Sequence, residues 1–160
     1  MKFLQNNLPV LALGILLLVA GTVYLVSNRM AFLPLMSDRP FVSVDGFMFE
    51  IADTPQAQQQ GLSGRANLSD TYGMLFVFDE PSRPGFWMKD MLIPIDIVWL
   101  SDTGVVVGIE HNVSPDTYQK VPPDVFYPPS QVSYALEVRA GLAASRGWSV
   151  GSVIVLPEHN

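Results

Sequence analysis

The sequence predicts a mainly β domain, a β-sandwich or partly open barrel with mostly antiparallel strands and two short helices, preceded by one N-terminal transmembrane helix. Three observations carry this expectation. An uncharged apolar run occupies the N-terminus. From Phe41 onward the chain breaks into about seven short apolar or alternating runs, punctuated by turn signals and lacking regular β-α-β spacing. One of these runs, Ile93–Leu100, is apolar on both sides, the mark of a central strand covered on both faces.

The N-terminal segment comes first. No charged side chain lies between Lys2 and Arg29. Within that stretch Leu8–Val26 would span roughly 28 Å as a helix, about one hydrocarbon core. Pro9 falls near its start, where a missing N–H does least harm. A domain of this size seldom buries a helix that is apolar all round, so residues 1–28 read as a membrane anchor. Residues 29–40 follow as a juxtamembrane linker broken by Pro34 and Pro40. Cleavage after Ala20 would place Leu18 at −3, a poor fit, so the anchor is expected to be retained. Lys2 lies on one side, Arg29 and Arg39 on the other, which orients the helix weakly. With the acidic, cysteine-free body, the expectation is a single pass through the inner membrane with the globular domain, 41–160, periplasmic or otherwise extracytoplasmic.

The body then unfolds element by element. Phe41–Ile51 reads as a hairpin about Asp45-Gly46, with Phe47, Phe49 and Ile51 alternating after the turn. Thr54-Pro55 starts a short helix as N-cap and N1, and Gly61 stops it. Gly73–Phe78 is a strand, Asp79–Gly85 a turn, and Ile93–Leu100 the central strand. Ser101–Gly104 is a tight turn that returns Val105–Ile109 antiparallel beside it. Asn112–Gln131 carries five prolines and is expected to be a loop packed by Val121, Val125, Phe126 and Tyr127. Gln131–Val138 alternates as a strand, Ala140–Arg146 is the second short helix, and Ser152–Leu156 closes the domain.

Charge and composition exclude several classes. The net charge is −6, and beyond Pro40 fourteen acidic residues face six basic ones, a net charge of −8. No basic cluster occurs, which argues against nucleic-acid binding and against electrostatic adhesion to anionic lipid. Cysteine is absent, so disulfides, thiolate metal sites and thiol nucleophiles are excluded. No Gly-x-Ser-x-Gly, P-loop or dinucleotide fingerprint occurs, no metal signature is present, and no cofactor is expected. The sequons at Asn67 and Asn112 matter only in a glycosylating secretory route.

Candidate site residues concentrate in and around Phe86–Leu100. Asp96 is a carboxylate on a strand otherwise apolar, so it needs a guanidinium or backbone donors. Arg65 is the expected guanidinium partner; the plainer alternative is a carboxylate capping turn N–H groups. Trp87 and Lys89, with Asp90 beside them, suit a sugar ring or an anionic group, against the plainer reading of a core aromatic and a snorkelling lysine. Glu137 lies on the less apolar face of its strand. If it met Asp96, the pair would have the makings of acid–base chemistry; otherwise Glu137 is a bonded structural carboxylate. His111 is the only histidine within the body, His159 lying in the tail; with Met74, Met88 and Met91 it makes at best a weak soft-metal set, core packing being the plainer reading.

Several of these motifs occur in one order: Gln60-Gly61-Leu62 with Arg65, Gly73–Phe78, Phe86-Trp87-Met88-Lys89-Asp90, Ile93-Pro94-Ile95-Asp96, and Leu136-Glu137-Val138 with Ala140-Gly141. In this the chain resembles the prokaryotic domain of unknown function 192 family, from about Phe41 to Leu156. The resemblance implies a compact β-sandwich-like domain, often behind a signal or anchor, and implies no activity. Two positions depart from the family pattern: Asp90 stands where asparagine is frequent, and Ser63-Gly64 replaces a bulkier residue near the arginine. Two functions follow as expectations. The first is a membrane-anchored extracytoplasmic binding or interaction module for a small-molecule or protein ligand. The second is a hydrolase or lyase acting on envelope carbohydrate, with Asp96 and Glu137 as acid and base, Arg65 as anion holder and His111 as auxiliary.

Overall fold

A computed structural model of the chain describes residues 40–156 apart from Asp45. The helix expected over Leu8–Val26, the linker as far as Arg39, and His159 lie outside the described residues. Among the described residues no helix is long and apolar enough to cross a membrane.

The strands are β1 (Phe41–Val44), β2 (Phe47–Ala52), β3 (Tyr72–Ser82), β4 (Ile95–Leu100), β5 (Val106–Val113) and β6 (Val132–Arg139). The short helices are α1 (Pro55–Gln60) and α2 (Leu142–Ser145). The domain is therefore mainly β with two short helices, as expected. The expected sandwich or barrel does not form. The six strands make one open sheet in the order β1-β2-β3-β6-β4-β5. Its faces are covered by loops and short helices instead of a second sheet.

The connection from β2 to β3 explains the difference. α1 carries the chain across, so β3 runs parallel to β2, while the other four pairings are antiparallel. A parallel pair needs a crossover, where a hairpin would give an antiparallel one. The helix signals fit: Thr54 Oγ1 accepts from the Ala57 N–H at 3.2 Å, Pro55 is the first helical residue, and Gly61 ends the helix at φ +52°. β6 then inserts between β3 and β4, so the proline-rich loop returns the chain from the edge strand β5 to the middle of the sheet.

Other boundaries differ for local reasons. β3 continues through Asp79-Glu80-Pro81, expected as a turn. Pro81 has no N–H for the ladder, and the register against β6 shifts between Val77 and Ser82, where Pro81 lies. Ser152–Leu156 contributes a bridge from Val153 to Val105 and no strand. The Ser101–Gly104 turn forms as expected, the Ser101 carbonyl accepting from the Gly104 N–H at 3.1 Å. A side chain at Gly104 would sit 2.4 Å from the Ile154 carbonyl oxygen, on a backbone at φ +77°.

Every residue of β4 is buried, as a strand apolar on both sides requires. Ile95, Ile97 and Trp99 pack with Met74, Phe76, Phe86 and Met88 on one face. Val98 and Leu100 pack with Phe47, Phe49, Ile51 and Leu136 on the other. Each large side chain so buried contributes about 1.5–3 kcal/mol. In the proline-rich loop only Phe126 packs as expected, lying against the first layer and bridging Phe86. Val121 is 97% exposed, and Val125 and Tyr127, which lie against Gly85, are exposed too.

Candidate functional site: a cavity over Glu137

Strand register places Glu137 of β6 between Met74 of β3 and Ile97 of β4. Residues paired across a sheet share a face, so Glu137 points into the Ile97 layer. There a cavity of about 420 Å³ opens between α1, the turn after it, β3 and the segment from Pro84 to Trp87. Leu62, Phe76, Phe78, Phe86 and Met91 give it apolar walls; Gln58, Gln59, Gln60 and Ser63 add neutral polar groups. Glu137 lines it at 5% exposure, and Trp87 lines it while 42% exposed, so the tryptophan reaches solvent.

The local sequence explains how the walls are held. The Leu62 N–H donates to Glu137 Oε2 at 3.2 Å. A side chain at Gly61 would lie 3.0 Å from that oxygen, so glycine lets the turn approach the carboxylate. Gln58 Nε2 donates to the carbonyls of Val77 at 2.8 Å and Ala52 at 3.3 Å, pinning α1 over β2 and β3. The turn is tied to the opposite wall by Ser63 Oγ on the Lys89 carbonyl and the Gly64 N–H on the Asp90 carbonyl, both at 2.8 Å.

A second acid, Glu50, lies in the same cross-sheet row, paired to Met74 on its other side. It is fully buried and is held by the Arg65 guanidinium and the Tyr72 hydroxyl. Arg65 Nη1 also donates to the Tyr72 oxygen at 2.7 Å. Burial, and then the Glu50 carboxylate it donates to, push the Tyr72 hydroxyl well above the usual tyrosine range. This closed cluster anchors the far end of the 61–65 turn.

Asp96 does different work. Val138 is its register partner on β6, whereas Glu137 is paired to Ile97, so the two carboxylates stand on opposite faces of the sheet. Asp96 is fully buried. Its Oδ1 accepts from the Asn112 N–H at 2.8 Å and its Oδ2 from the Ala143 N–H at 3.0 Å. It thus braces the end of β5, where Asn112 adopts φ +52°, and the start of α2. His111 is half-exposed, its Nδ1 4.0 Å from Asp96 Oδ1.

With this geometry in hand, the relatives are informative. The sequence model of the DUF192 family, described as an uncharacterized ACR, matches residues 41–156. The chain belongs to this family. Two crystal structures resemble the DUF192 domain. One is a "putative transcription regulator" from Sinorhizobium meliloti 1021, at 28% identity and TM-score 0.60, covering 69% of this chain and 85% of that one. The other is a protein of unknown function from Novosphingobium aromaticivorans DSM 12444, at 26% identity and TM-score 0.59, covering 72% and 91%. No curated protein matches the chain.

The expected site residues separate accordingly. Trp87 and Glu137 line the cavity of the DUF192 domain; Arg65, Lys89, Asp90, Asp96 and His111 do not. Three expectations are corrected. Arg65 pairs with Glu50, not Asp96, because the turn carrying it lies on the Ile97 side of the sheet. Asp96 and Glu137 form no acid–base pair, being one register position apart on adjacent strands and therefore on opposite faces. Lys89 and Asp90 serve the site through their carbonyls, with both side chains exposed. Asp90 has φ +55°, a left-handed backbone that asparagine and aspartate both tolerate. That conformational demand accounts for either residue standing there.

Sequence reasoning missed Glu50 and the glutamines of α1. Glu50 sits beside the alternating Phe47, Phe49 and Ile51, so its face reads as solvent-exposed until the crossover covers it. The Gln58–Gln60 run followed by glycine is the available signal for the cavity wall. Among the described residues no cluster of three or more His, Asp or Glu is placed to hold a metal ion.

Proposed function

We propose that this DUF192 chain is a membrane-anchored extracytoplasmic binding module whose small-molecule ligand occupies the cavity over Glu137. One observation carries the reading: a volume of about 420 Å³ with apolar walls, one buried carboxylate and a half-exposed tryptophan converging on it. Ligand sites run from about 300 to 1,000 Å³ and combine apolar walls with a few polar groups that fix orientation. The apolar run Leu8–Val26 supports the anchor, and the net charge of −8 beyond Pro40 suits a domain held off an anionic bilayer. The same charge balance, with no basic cluster, argues against nucleic acid as the partner.

The test uses the full chain in detergent micelles, screened by thermal shift against a library of small envelope sugars, peptides and amphiphilic metabolites. Hits are then titrated by tryptophan fluorescence. A hit is expected to weaken about tenfold or more in Trp87→Ala and in Glu137→Gln. A hit indifferent to both substitutions puts its site elsewhere, and a library without hits removes the reading.

A further inference from the structure

The hydrogen-bonding sense of the cavity wall narrows its ligand. Gln58 and Ser63 both line the volume, and both have spent their donor hydrogens on the protein. The two amide hydrogens of Gln58 go to the carbonyls of Val77 at 2.8 Å and Ala52 at 3.3 Å. Ser63 Oγ gives its one hydrogen to the Lys89 carbonyl at 2.8 Å. What each keeps for a ligand is an acceptor, Oε1 of Gln58 and the lone pairs of Ser63 Oγ. The backbone beside them is committed as well. The N–H groups of Gly61, Leu62 and Ser63 donate to the Ala57 carbonyl, Glu137 Oε2 and the Gln60 carbonyl. Resting on the reading that the cavity binds a ligand, we infer that this ligand is a neutral sugar ring, held by hydroxyls that donate to the wall and by a stacked C–H face.

Donor balance separates this class from the others. A carboxylate or phosphate brings acceptors only, and needs a cationic side chain or a nest of open N–H groups. Among the described residues lining the cavity there is no lysine, arginine or histidine, and the N–H groups of the turn are taken. A purely apolar body would strip water from the Gln58 and Ser63 oxygens and return no hydrogen bond. A hydroxyl both donates and accepts. It suits these inner oxygens and also the exposed donors that line the same volume, the Gln59 amide and the Trp87 indole N–H. Four aromatic rings complete the wall, Phe76, Phe78, Phe86 and Trp87. Their negative faces suit the weakly positive C–H groups of a pyranose ring, whose hydroxyls project around its rim. An ammonium group, which donates and cannot accept, is the competitor to separate.

Phenyl glycosides make the separation, titrated calorimetrically into the full chain in a polyoxyethylene detergent, which carries no sugar. The neutral set is phenyl glucoside, galactoside, mannoside and N-acetylglucosaminide. The controls are phenyl glucuronide, an anion; phenyl glucosaminide, an ammonium ion; and benzyl alcohol, with a single hydroxyl. At least one neutral glycoside is expected to bind about tenfold or more tighter than every control. Its deoxy and deoxyfluoro analogues then read the sense of each hydrogen bond. Fluorine cannot donate, so where a hydroxyl donates to the wall both analogues are expected to lose about tenfold, at one position or more. Trp87→Ala, at an exposed position, is expected to weaken the same glycoside about tenfold without moving the urea midpoint, which ties binding to this cavity. A control that binds as tightly as the best glycoside overturns the assignment, and leaves the cavity a ligand site if Trp87→Ala weakens it. Fluoro analogues that keep affinity at every position, or glycoside binding unmoved by Trp87→Ala, overturn it too. Failure of the whole set overturns it as well, and the broader reading falls only if the wider library fails too.

Discussion

The two faces of the sheet carry the same kind of buried acid to opposite ends. Asp96 and Glu137 sit on the adjacent strands β4 and β6, one register step apart. On the Asp96 face both carboxylate oxygens accept from backbone N–H groups, those of Asn112 and Ala143, and the half-exposed His111 stands 4.0 Å from Oδ1. On the Glu137 face the covering is α1, a glycine turn and the Phe86 segment, which meet imperfectly and leave a cavity. The difference teaches that burial alone does not mark a functional acid. What covers the face decides whether the carboxylate braces the fold or meets a ligand.

Exchanging the two acids breaks the comparison most directly. Asp96→Ala removes the acceptor for two backbone donors at a fully buried position and is expected to cost about 3–5 kcal/mol. Glu137→Gln preserves shape and an acceptor for Leu62, and is expected to cost about 1 kcal/mol or less while abolishing most ligand affinity. Urea unfolding of both variants checks this. Equal losses, or the reverse order, would mean that the two faces do not divide structure from binding.

The Glu50–Arg65–Tyr72 cluster tests whether the cavity wall is held from a distance. Arg65→Ala leaves the fully buried Glu50 with Tyr72 but without the guanidinium, and is expected to cost about 2 kcal/mol. Because Arg65 is three residues from Leu62, whose N–H meets Glu137, the same variant should also weaken ligand binding through the loosened turn. Arg65→Lys restores the charge but not the forked geometry and is expected to recover only part of both losses. Amide hydrogen exchange at Leu62 and Ser63 is the readout that a purely global effect on stability would not single out. Unchanged protection there in Arg65→Ala would show that the turn is held without the guanidinium, by the bonds of Leu62, Ser63 and Gly64.

Much of the β content was legible because it rests on local pattern. The Asp45-Gly46 hairpin, the Ser101–Gly104 return, the continuous apolar run of β4 and the Thr54-Pro55 helix start each have a short-range cause. Topology was not legible. Whether β3 lies parallel or antiparallel to β2 depends on how a six-residue helix crosses the sheet, and no alternation in either strand records it. The site depends on the same topology. Asp96 was correctly singled out as a buried acid needing donors, yet its partners lie 16 and 47 residues away along the chain and are backbone groups, which no side-chain motif advertises. The sequence offers Asp96 to Arg65 in place of Glu50, because the face of Glu50 reads as solvent-exposed until the crossover covers it. Trp87 and Glu137 both stand out in the sequence, but only the register puts Glu137 on a face with the segment bearing Trp87 and turns it away from Asp96.

A third acid gives the baseline against which both faces stand. Asp70 is exposed and paired with Arg139, whose Nε donates to its carboxylate. That hydrogen bond first, and then the charges of Arg139 and Arg146, hold Asp70 below the usual aspartate value. A depressed carboxylate stabilises the fold above the unfolded-state value, about pH 4, and loses that contribution as pH falls through its own lower value. Asp70→Asn should therefore be slightly less stable than the parent chain at pH 6, and the gap should narrow as pH falls below about 4, as read from urea midpoints across that range. The effect should be the smallest of the series and should shrink in high salt, since solvent screens an exposed pair. A gap that did not narrow at all below about pH 4 would assign Asp70 a packing role instead of a charge role. The contrast among the three acids would then rest on what each one touches, with exposure no longer separating the surface pair from the buried brace.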